Sequence, residues 1–315
     1  MIRPLIRSLF LHWPWLLLAG LFGLTLAPIL GDYSRKLDFL GQFLIQTTAL
    51  TVAAFLLFLV LQHRLVAFAA VVCVILQLAV LQPALFPARA MTTSGESLSV
   101  VFANVWTQNR RLPEVVERLE ALDPDVIVLT EIREETESLL PALEATWPYR
   151  AACPRHYSCD TVVLSRLPIL EDRSGKGERG LVGLAAARIE SGFGPVTVAG
   201  THLTQPLPPW RQRVQEYQTE QVVDMLAGVD DPLLVVGDFN SVPWGRLIRA
   251  FAAATGLKVA PGLEGTWPAT LPWPLRIPID QALTGRGLEL LEREVVTMPG
   301  ADHKALWLVV GPGTA

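Results

Sequence analysis

Three runs without a charged residue occupy the first part of the chain: 8–31, 39–63 and 65–88, of 24, 25 and 24 residues. A helix rises about 1.5 Å per residue, so roughly 20 apolar residues cross a hydrocarbon core of about 30 Å. Each run is long enough, and the gaps between them are too short to hold a folded domain. The expectation is three transmembrane helices, Trp13 to Leu30, Phe39 to Leu61 and Leu65 to Leu85, with Trp13 and Trp15 in an interfacial belt. A cleaved signal peptide would account for the first run alone. Arg3 and Arg7 before the first span and Arg64 before the third favour the cytoplasmic side. Arg35 and Lys36 argue the other way, flanked by Asp32 and Asp38. An inside N-terminus with three crossings puts the remainder of the chain outside the cytoplasm.

That remainder has a different composition. Residues 1–90 hold six of the 26 basic and two of the 30 acidic residues, so the rest is acidic on balance, which argues against a basic groove for DNA or RNA. Three cysteines exclude a disulfide-built scaffold and a cysteine-rich zinc module, and a 51% apolar chain is not generally disordered. The division expected is a membrane anchor over 1–90, a linker over 91–97 and a second domain over 98–315. Strand-like runs recur there: Leu98 to Ala103, Val126 to Thr130, Thr161 to Ser165, Leu181 to Ile189, Val196 to Thr201, Leu233 to Val236, Ile279 to Leu283 and Ala305 to Val310. Helical patterns fall between some of them. Glu114 to Leu122 puts Val115, Val116, Leu119 and Leu122 on one face, and Arg211 to Leu226 puts Val214, Tyr217, Gln221 and Met225 along one side. Several strands follow one another without a helix, so a layered α/β domain with mixed sheets is predicted.

Polar residues with chemical potential cluster where apolar runs end. Asn104 follows Ser-Val-Val-Phe-Ala, Glu131 follows Val-Ile-Val-Leu-Thr, and His202 follows Val-Thr-Val-Ala-Gly-Thr. Asp238 and Asn240 follow Leu-Leu-Val-Val-Gly, Asp280 sits in Ile-Pro-Ile-Asp-Gln, and Asp302 and His303 precede the last strand. Singly, each is an ordinary turn or capping residue. As an ordered set at strand ends, they can converge on one edge of a rigid sheet.

The set resembles the endonuclease/exonuclease/phosphatase superfamily. The matching segments are Val100-Val-Phe-Ala-Asn104-Val, Asp125-Val-Ile-Val-Leu-Thr-Glu131, Thr161-Val-Val-Leu-Ser-Arg-Leu-Pro168-Ile, Thr201-His-Leu203, Gly237-Asp-Phe-Asn240, Thr266-Trp-Pro268 with Ile279-Asp280, and Ala301-Asp-His303. The resemblance implies a four-layered α/β/β/α sandwich and a divalent-metal-dependent attack of water on phosphorus. Two positions depart from the family pattern: Ala301 stands where Ser is frequent, and Trp106 stands where nuclease branches often carry Asp. Phosphoryl chemistry calls for a hard cation with oxygen ligands, Mg²⁺ with Mn²⁺ as the alternative, and Glu131, Asn104 and Asp302 are the candidate ligands. Asp238 is the candidate base for water, with Asn240 aligning it or holding a phosphoryl oxygen. His202 and His303 are candidate donors to the nonbridging oxygens, and Asp280 is the carboxylate expected to orient His303.

Two proline-rich loops, Leu203 to Trp210 and Leu271 to Pro278, read either as an apolar rim at a membrane interface or as stiffened loops. Arg166 reads either as a phosphate contact or as a surface residue. Spans followed by a small catalytic domain look like the membrane-anchored VanJ-type branch of the superfamily, which is associated with glycopeptide resistance and dephosphorylation of undecaprenyl pyrophosphate. The expected partners are therefore the lipid bilayer and a lipid-linked phosphate, pyrophosphate or phosphodiester, with a tethered nuclease as the alternative. An exported domain would also permit Cys153 and Cys159 to pair, although two free thiols fit the spacing equally.

Overall fold

The structure is a computed structural model and describes residues 2–85, 96–154 and 159–313, with side chains from residue 12 onward. Most of the expected linker, residues 91–95, lies outside the described residues. The chain divides into two compact units, one of residues 1–86 with Trp244–Arg246 and one of the remainder.

The first unit is helical: α1 (Ile2–Ile29), α2 (Arg35–Gly41), α3 (Leu44–Val60) and α4 (Arg64–Leu85). Among the described residues, two helices are long and apolar enough to cross a membrane, over His12–Ile29 and Arg64–Leu85. The second expected span, Phe39 to Leu61, is not one straight helix. It breaks between α2 and α3, which meet at a 65° bend and count as a third span only if the bent pair is taken as one. The break falls at Gly41, where a Cβ would sit 3.0 Å from the Pro28 Cα of α1, so the close approach requires glycine. Within the bundle, the Gln77 amide donates to Thr25 Oγ1 at 2.8 Å and Thr51 Oγ1 at 3.0 Å, joining α1, α3 and α4. Such interhelical hydrogen bonds satisfy polar groups that an apolar surrounding cannot. Leu16, Phe22, Leu50, Leu56, Leu65, Phe68 and Ile75 point outward and exposed, as lipid-facing residues do.

The second unit runs β1 (Leu98–Asn104), α5 (Leu112–Leu122), β2 (Val126–Thr130), α6 (Leu139–Leu143), β3 (Tyr149–Ala152), β4 (Val162–Ser165), β5 (Ile169–Asp172), β6 (Gly175–Lys176), β7 (Gly183–Ser191), β8 (Gly194–His202), α7 (Arg211–Leu226), β9 (Leu233–Asp238), α8 (Arg246–Thr255), β10 (Lys258–Val259), β11 (Asp280–Gly285), β12 (Leu288–Val296) and β13 (Ala305–Pro312). One sheet has the order β12-β13-β1-β2-β4-β3; the other has β10-β11-β9-β8-β7-β5, with β6 beside β7. Among the described residues only β1/β2 and β8/β9 pair in parallel, so both sheets are mixed.

Alternation along the strands builds three apolar layers. Val100, Phe102, Val126 and Val128 of the first sheet meet Ala185, Ala187, Val198, Leu234 and Val236 of the second in the central core. The opposite faces carry the helices. Val101, Ala103, Ile127 and Leu129 pack with Val115, Leu119, Leu143 and Trp147, while Ala199, Leu233 and Val235 pack with Val222, Leu226, Ile248 and Phe251. The result is helices, sheet, sheet, helices. At Gly200 a Cβ would lie 2.4 Å from Val128 Cγ1, which shows how closely the sheets approach there.

Helix α7 differs from the sequence expectation in which face it buries. Its boundaries match, but the buried side is Gln212, Gln215, Gln218, Thr219, Val222 and Leu226 rather than the line through Tyr217 and Met225. The reason is hydrogen bonding. Gln215 Nε2 donates to the carbonyls of Phe239 and Asn240 at 2.9 and 3.2 Å, and Gln218 bridges Thr204 and Leu181. Glutamines on this face serve backbone groups at the end of β8 and β9 that would otherwise be buried unpaired.

Candidate active site

Register places the polar residues together before any side chain is considered. Parallel pairing sets Asn104 opposite Thr130, so Asn104 and Glu131 emerge side by side from β1 and β2. Parallel pairing of β8 with β9 sets His202 opposite Asp238, and antiparallel pairing of β9 with β11 sets Asp280 opposite the same Asp238. The Gly in Gly237-Asp-Phe-Asn240 follows from this closeness: a Cβ there would stand 2.2 Å from the Thr201 carbonyl oxygen. Asp302 and His303 lie in the turn leading to β13. Gly300, at φ 72°, lets that turn press against Asn109, whose amide donates to the carbonyls of Val105 and Pro299.

Trp106, Glu131 and Asn240 have positive φ of 61°, 63° and 49°. Left-handed backbone is unfavourable for a non-glycine residue and is retained where surrounding structure holds it, commonly at functional sites. At each position a hydrogen bond does the holding. The Trp106 amide donates to Asn104 Oδ1, the Asn240 amide donates to Asp238 Oδ1, and Thr136 Oγ1 donates to the Glu131 carbonyl.

The residues form two connected groups. In the first, Asn104 Nδ2 donates to Glu131 Oε1 at 3.1 Å and to Asp238 Oδ2 at 3.2 Å, tying the groups together. Glu131 Oε2 accepts from the amide and hydroxyl of Thr107 at 2.6 and 2.7 Å. Burial pushes the Glu131 pKa up, but the Thr107 hydrogen bonds and the charge of His202 outweigh it, so Glu131 is held as a carboxylate. Asp302 is half-buried. Burial raises its pKa, and the negative charge of Glu131 adds to the rise. Its Oδ1 is buried without a hydrogen-bond partner.

In the second group, Asp238 stands between two imidazoles. His202 Nε2 is 3.6 Å and His303 Nε2 is 3.7 Å from its Oδ2. Behind each ring is a second carboxylate. His303 Nδ1 donates to Asp280 at 2.9 Å, and His202 Nδ1 lies 3.2 Å from both oxygens of Asp160. Burial alone would lower both histidines, but the carboxylates outweigh it, raising His202 to about 9 with Asp160 as the leading partner and His303 to about 10 with Asp280 leading. Both rings are therefore cations at neutral pH. Burial raises Asp238 to about 6, with Asp280 adding to the rise and the two cations opposing it. Asp160 is held down at about 2 by His202 and Arg133 against the effect of its burial.

Asp160 and Thr107 are the residues that sequence reasoning missed. The signal for Asp160 was its place just ahead of β4, directly before the matched Thr161 segment. Asn240 holds Asp238 through its backbone amide, at 2.9 Å from Oδ1, while its side-chain Nδ2 donates to the Leu203 carbonyl at 2.9 Å. Arg166 pairs with Asp123 and stacks over Trp147 at 4.8 Å, which makes it a surface structural residue.

Two carboxylate sets can be asked to hold a cation. Oxygen and nitrogen atoms of Asp238, Asp280 and His303 lie within 4.8 Å of one another. In that set His303 Nδ1 is already engaged by Asp280 at 2.9 Å, which leaves the ring one nitrogen to offer an ion. Glu131 and Asp302 offer oxygen alone: two carboxylates whose charges oppose each other, one with a buried oxygen that no described residue satisfies. This is the donor chemistry that a hard divalent cation takes.

A comparison with curated proteins returns no match. Solved structures share the fold. An endonuclease/exonuclease/phosphatase from Beutenbergia cavernae superposes with a TM-score of 0.57 at 21% identity, over 70% of this chain and 72% of that one. The human Nocturnin catalytic domain gives 0.55 at 17% identity over 69% and 94%. Sphingomyelinase C from Streptomyces griseocarneus gives 0.51 at 18% over 69% and 99%. The model of the endonuclease/exonuclease/phosphatase family matches residues 101–303, from within β1 to His303, well over half of the chain, and the chain belongs to that family.

Proposed function

We infer that the protein is a membrane-anchored, divalent-metal-dependent phosphohydrolase acting on a lipid-linked phosphate, pyrophosphate or phosphodiester. Family membership supports hydrolysis at phosphorus, and one observation carries the lipid assignment. The catalytic unit exposes Leu207, Trp210, Leu271, Trp273 and Leu275 on its two proline-rich loops, in a chain that also carries apolar helices of membrane-crossing length. Exposed Trp and Leu in such loops suit the headgroup region of a bilayer. A tether then keeps the site at high effective concentration of a membrane substrate. Among the proteins of similar fold, one is named a sphingomyelinase C. An exported catalytic unit is supported by the bond between Cys153 and Cys159, since disulfides persist in oxidising compartments.

The residues divide the chemistry as follows. Asp238, ionised above about pH 6, takes a proton from water at its Oδ2. The cationic Nε2–H groups of His202 and His303 flank it and donate to the nonbridging phosphoryl oxygens as charge accumulates. Asp160 and Asp280 keep those rings protonated and oriented. Asn104 fixes the spacing of Glu131 and Asp238. Glu131 and Asp302 would hold the cation, Mg²⁺ or Mn²⁺, which when bound neutralises phosphoryl charge. The deciding experiment assays purified full-length protein with Mg²⁺ or Mn²⁺ against polyprenyl pyrophosphates, lipid phosphates, phosphodiesters and plasmid DNA. Turnover of a lipid substrate supports the reading; plasmid nicking with no lipid turnover overturns it in favour of a nuclease.

A further inference from the structure

The Cys153–Cys159 bond lies directly behind the His202 arm of the site. Cys159 immediately precedes Asp160, and both carboxylate oxygens of Asp160 reach His202 Nδ1. The bonded sulfurs also press on β7: a Cβ at Gly183 would stand 2.5 Å from Cys159 Sγ and 2.7 Å from Cys153 Sγ. The Gly183 carbonyl in turn accepts from Thr201 Oγ1 at 3.0 Å, and Thr201 immediately precedes His202. The cystine therefore supports both partners of the pair, Asp160 through the chain and His202 through Gly183 and Thr201. Among the described residues, the upstream chain is also tied by the 3.4 Å contact of the Cys153 amide with the Thr161 carbonyl. The remaining support is from the other side, where the Ile132 amide donates to the Asp160 carbonyl at 2.9 Å and Arg133 pairs with its carboxylate at 3.0 Å. The groups facing His202 are Asp160, Asp238 from β9 and Glu131 after β2.

We propose that the Cys153–Cys159 disulfide is a redox-sensitive clamp that seats Asp160 against His202, so that a dithiol reductant lowers the hydrolytic rate and reoxidation restores it. The proposal rests on the reading of His202 as a donor to the phosphoryl group. A cavity of about 670 Å³ is lined by Cys153, Cys159, Asp160 and Arg133, giving a reductant a route to the bond. Cys153 is 6% exposed and Cys159 more so, which directs attack to the latter. One thiolate of the dithiol bonds to Cys159 Sγ and Cys153 leaves as a thiolate that takes up a proton. The second sulfur of the dithiol then displaces Cys159, which is protonated in turn. Two electrons pass to the protein, which ends with two thiols, and the dithiol ends as a disulfide.

The test uses full-length protein, a soluble aryl phosphodiester with Mn²⁺, and dithiothreitol, with thiols counted by alkylation and mass. Reduction is expected to lower kcat/KM by roughly tenfold at pH 8, the middle of the range for members of one hydrogen-bonded network, and reoxidation to restore it. In an Asp160→Asn background the same reduction should add little, because both routes of support act on the charged Asp160–His202 contact, which that variant has already lost; a merely structural bond would add its full effect there. An unchanged rate after proven reduction overturns the proposal, as does an equal fall in both backgrounds. If no phosphate ester is hydrolysed even when oxidised, the functional reading fails, and the clamp is then read from the ring ¹⁵N shifts of His202. Shifts that move on reduction support it, and shifts that stay overturn it.

Discussion

Asp160→Asn separates charge from shape at the His202 arm. The side chain keeps its size and an oxygen to accept from His202 Nδ1, but it loses the charge that leads in raising the ring to about 9. Against an ordinary value of about 6.5, that rise amounts to about 3 kcal/mol in favour of the charged ring. With Asp160 neutral, Asp238 and Glu131 still raise the ring and burial still lowers it, so its pKa returns toward the ordinary range. At pH 8 a ring titrating at about 9 is roughly nine-tenths charged. One titrating at about 6.5 is about 3% charged at that pH, a ratio of roughly thirty. At pH 6 the same comparison gives less than a factor of two. Protonation of Asp238 near pH 6 affects the two proteins nearly alike, because at that pH His202, whose charge acts on Asp238, is mostly protonated in both. The variant should therefore lose up to about thirtyfold in kcat/KM at pH 8 and almost nothing at pH 6, measured with a soluble phosphodiester. Equal losses at both pH values would show that Asp160 matters only for packing and would refute the account of His202 as a cationic donor.

Other outcomes follow from the same geometry. Asp238→Asn should reduce turnover by at least about a hundredfold, since it removes the proton acceptor, and should cost some stability because the amide can accept only one of the bonds from Asn104 Nδ2 and the Asn240 amide; near-normal turnover in folded protein would exclude it as the base. Asp302→Asn should weaken Mn²⁺ binding in calorimetry by about tenfold or more, and undiminished affinity would move the ion elsewhere. Gly237→Ala should destabilise the catalytic unit by about 2–3 kcal/mol, because its methyl group would strike the Thr201 carbonyl 2.2 Å away. The Asp160–His202 pair should add stability that is complete between about pH 4 and 6.5. It is lost as pH falls through about 2, where Asp160 protonates, and as pH rises through about 9, where His202 loses its proton; wild type and Asp160→Asn should therefore melt closest together at those extremes.

Strands with two buried faces were legible because they are unbroken apolar runs: β1, β2, β4, β8 and β9 start and stop within a residue or two of their runs. Edge strands were not. β12 reads Leu-Glu-Leu-Leu-Glu-Arg-Glu-Val-Val, and a register shift between Leu290 and Glu292 breaks the alternation that would have marked it. Helix α7 was found at its true boundaries yet on the wrong face, since pattern reading assumes apolar residues go inward. Here glutamines go inward because two chain reversals need donors and acceptors. In the second apolar run, hydrophobicity reports where a chain can leave water but not the 65° bend between α2 and α3, beside which Gly41 lies against Pro28.

The site shows the same division between what a chain advertises and what only register reveals. Asp238, Asn240 and His303 stand in short motifs whose spacing is local, so a single sequence exposes them. Asp160 has no local partner; it meets His202, 42 residues later, because β4 and β8 lie in different sheets of the sandwich and β4 begins at the edge where β8 ends. The two histidine arms are nevertheless built to one plan, a ring with a carboxylate behind it and Asp238 in front. They differ in exposure. The His303 arm is sealed, with side chains 6% and 0% exposed, whereas His202 is 18% exposed and rests on an aspartate that follows a cystine. A sealed pair has a fixed charge under most conditions, while a pair at the rim answers to its surroundings. Regulation of this enzyme, by pH or by redox state, is therefore to be sought first at His202. Asp280→Asn removes the charge that leads in raising His303 to about 10, so it too should lose more kcat/KM at pH 8 than at pH 6; equal losses at both pH values would show that Asp280 acts on His303 by orientation alone.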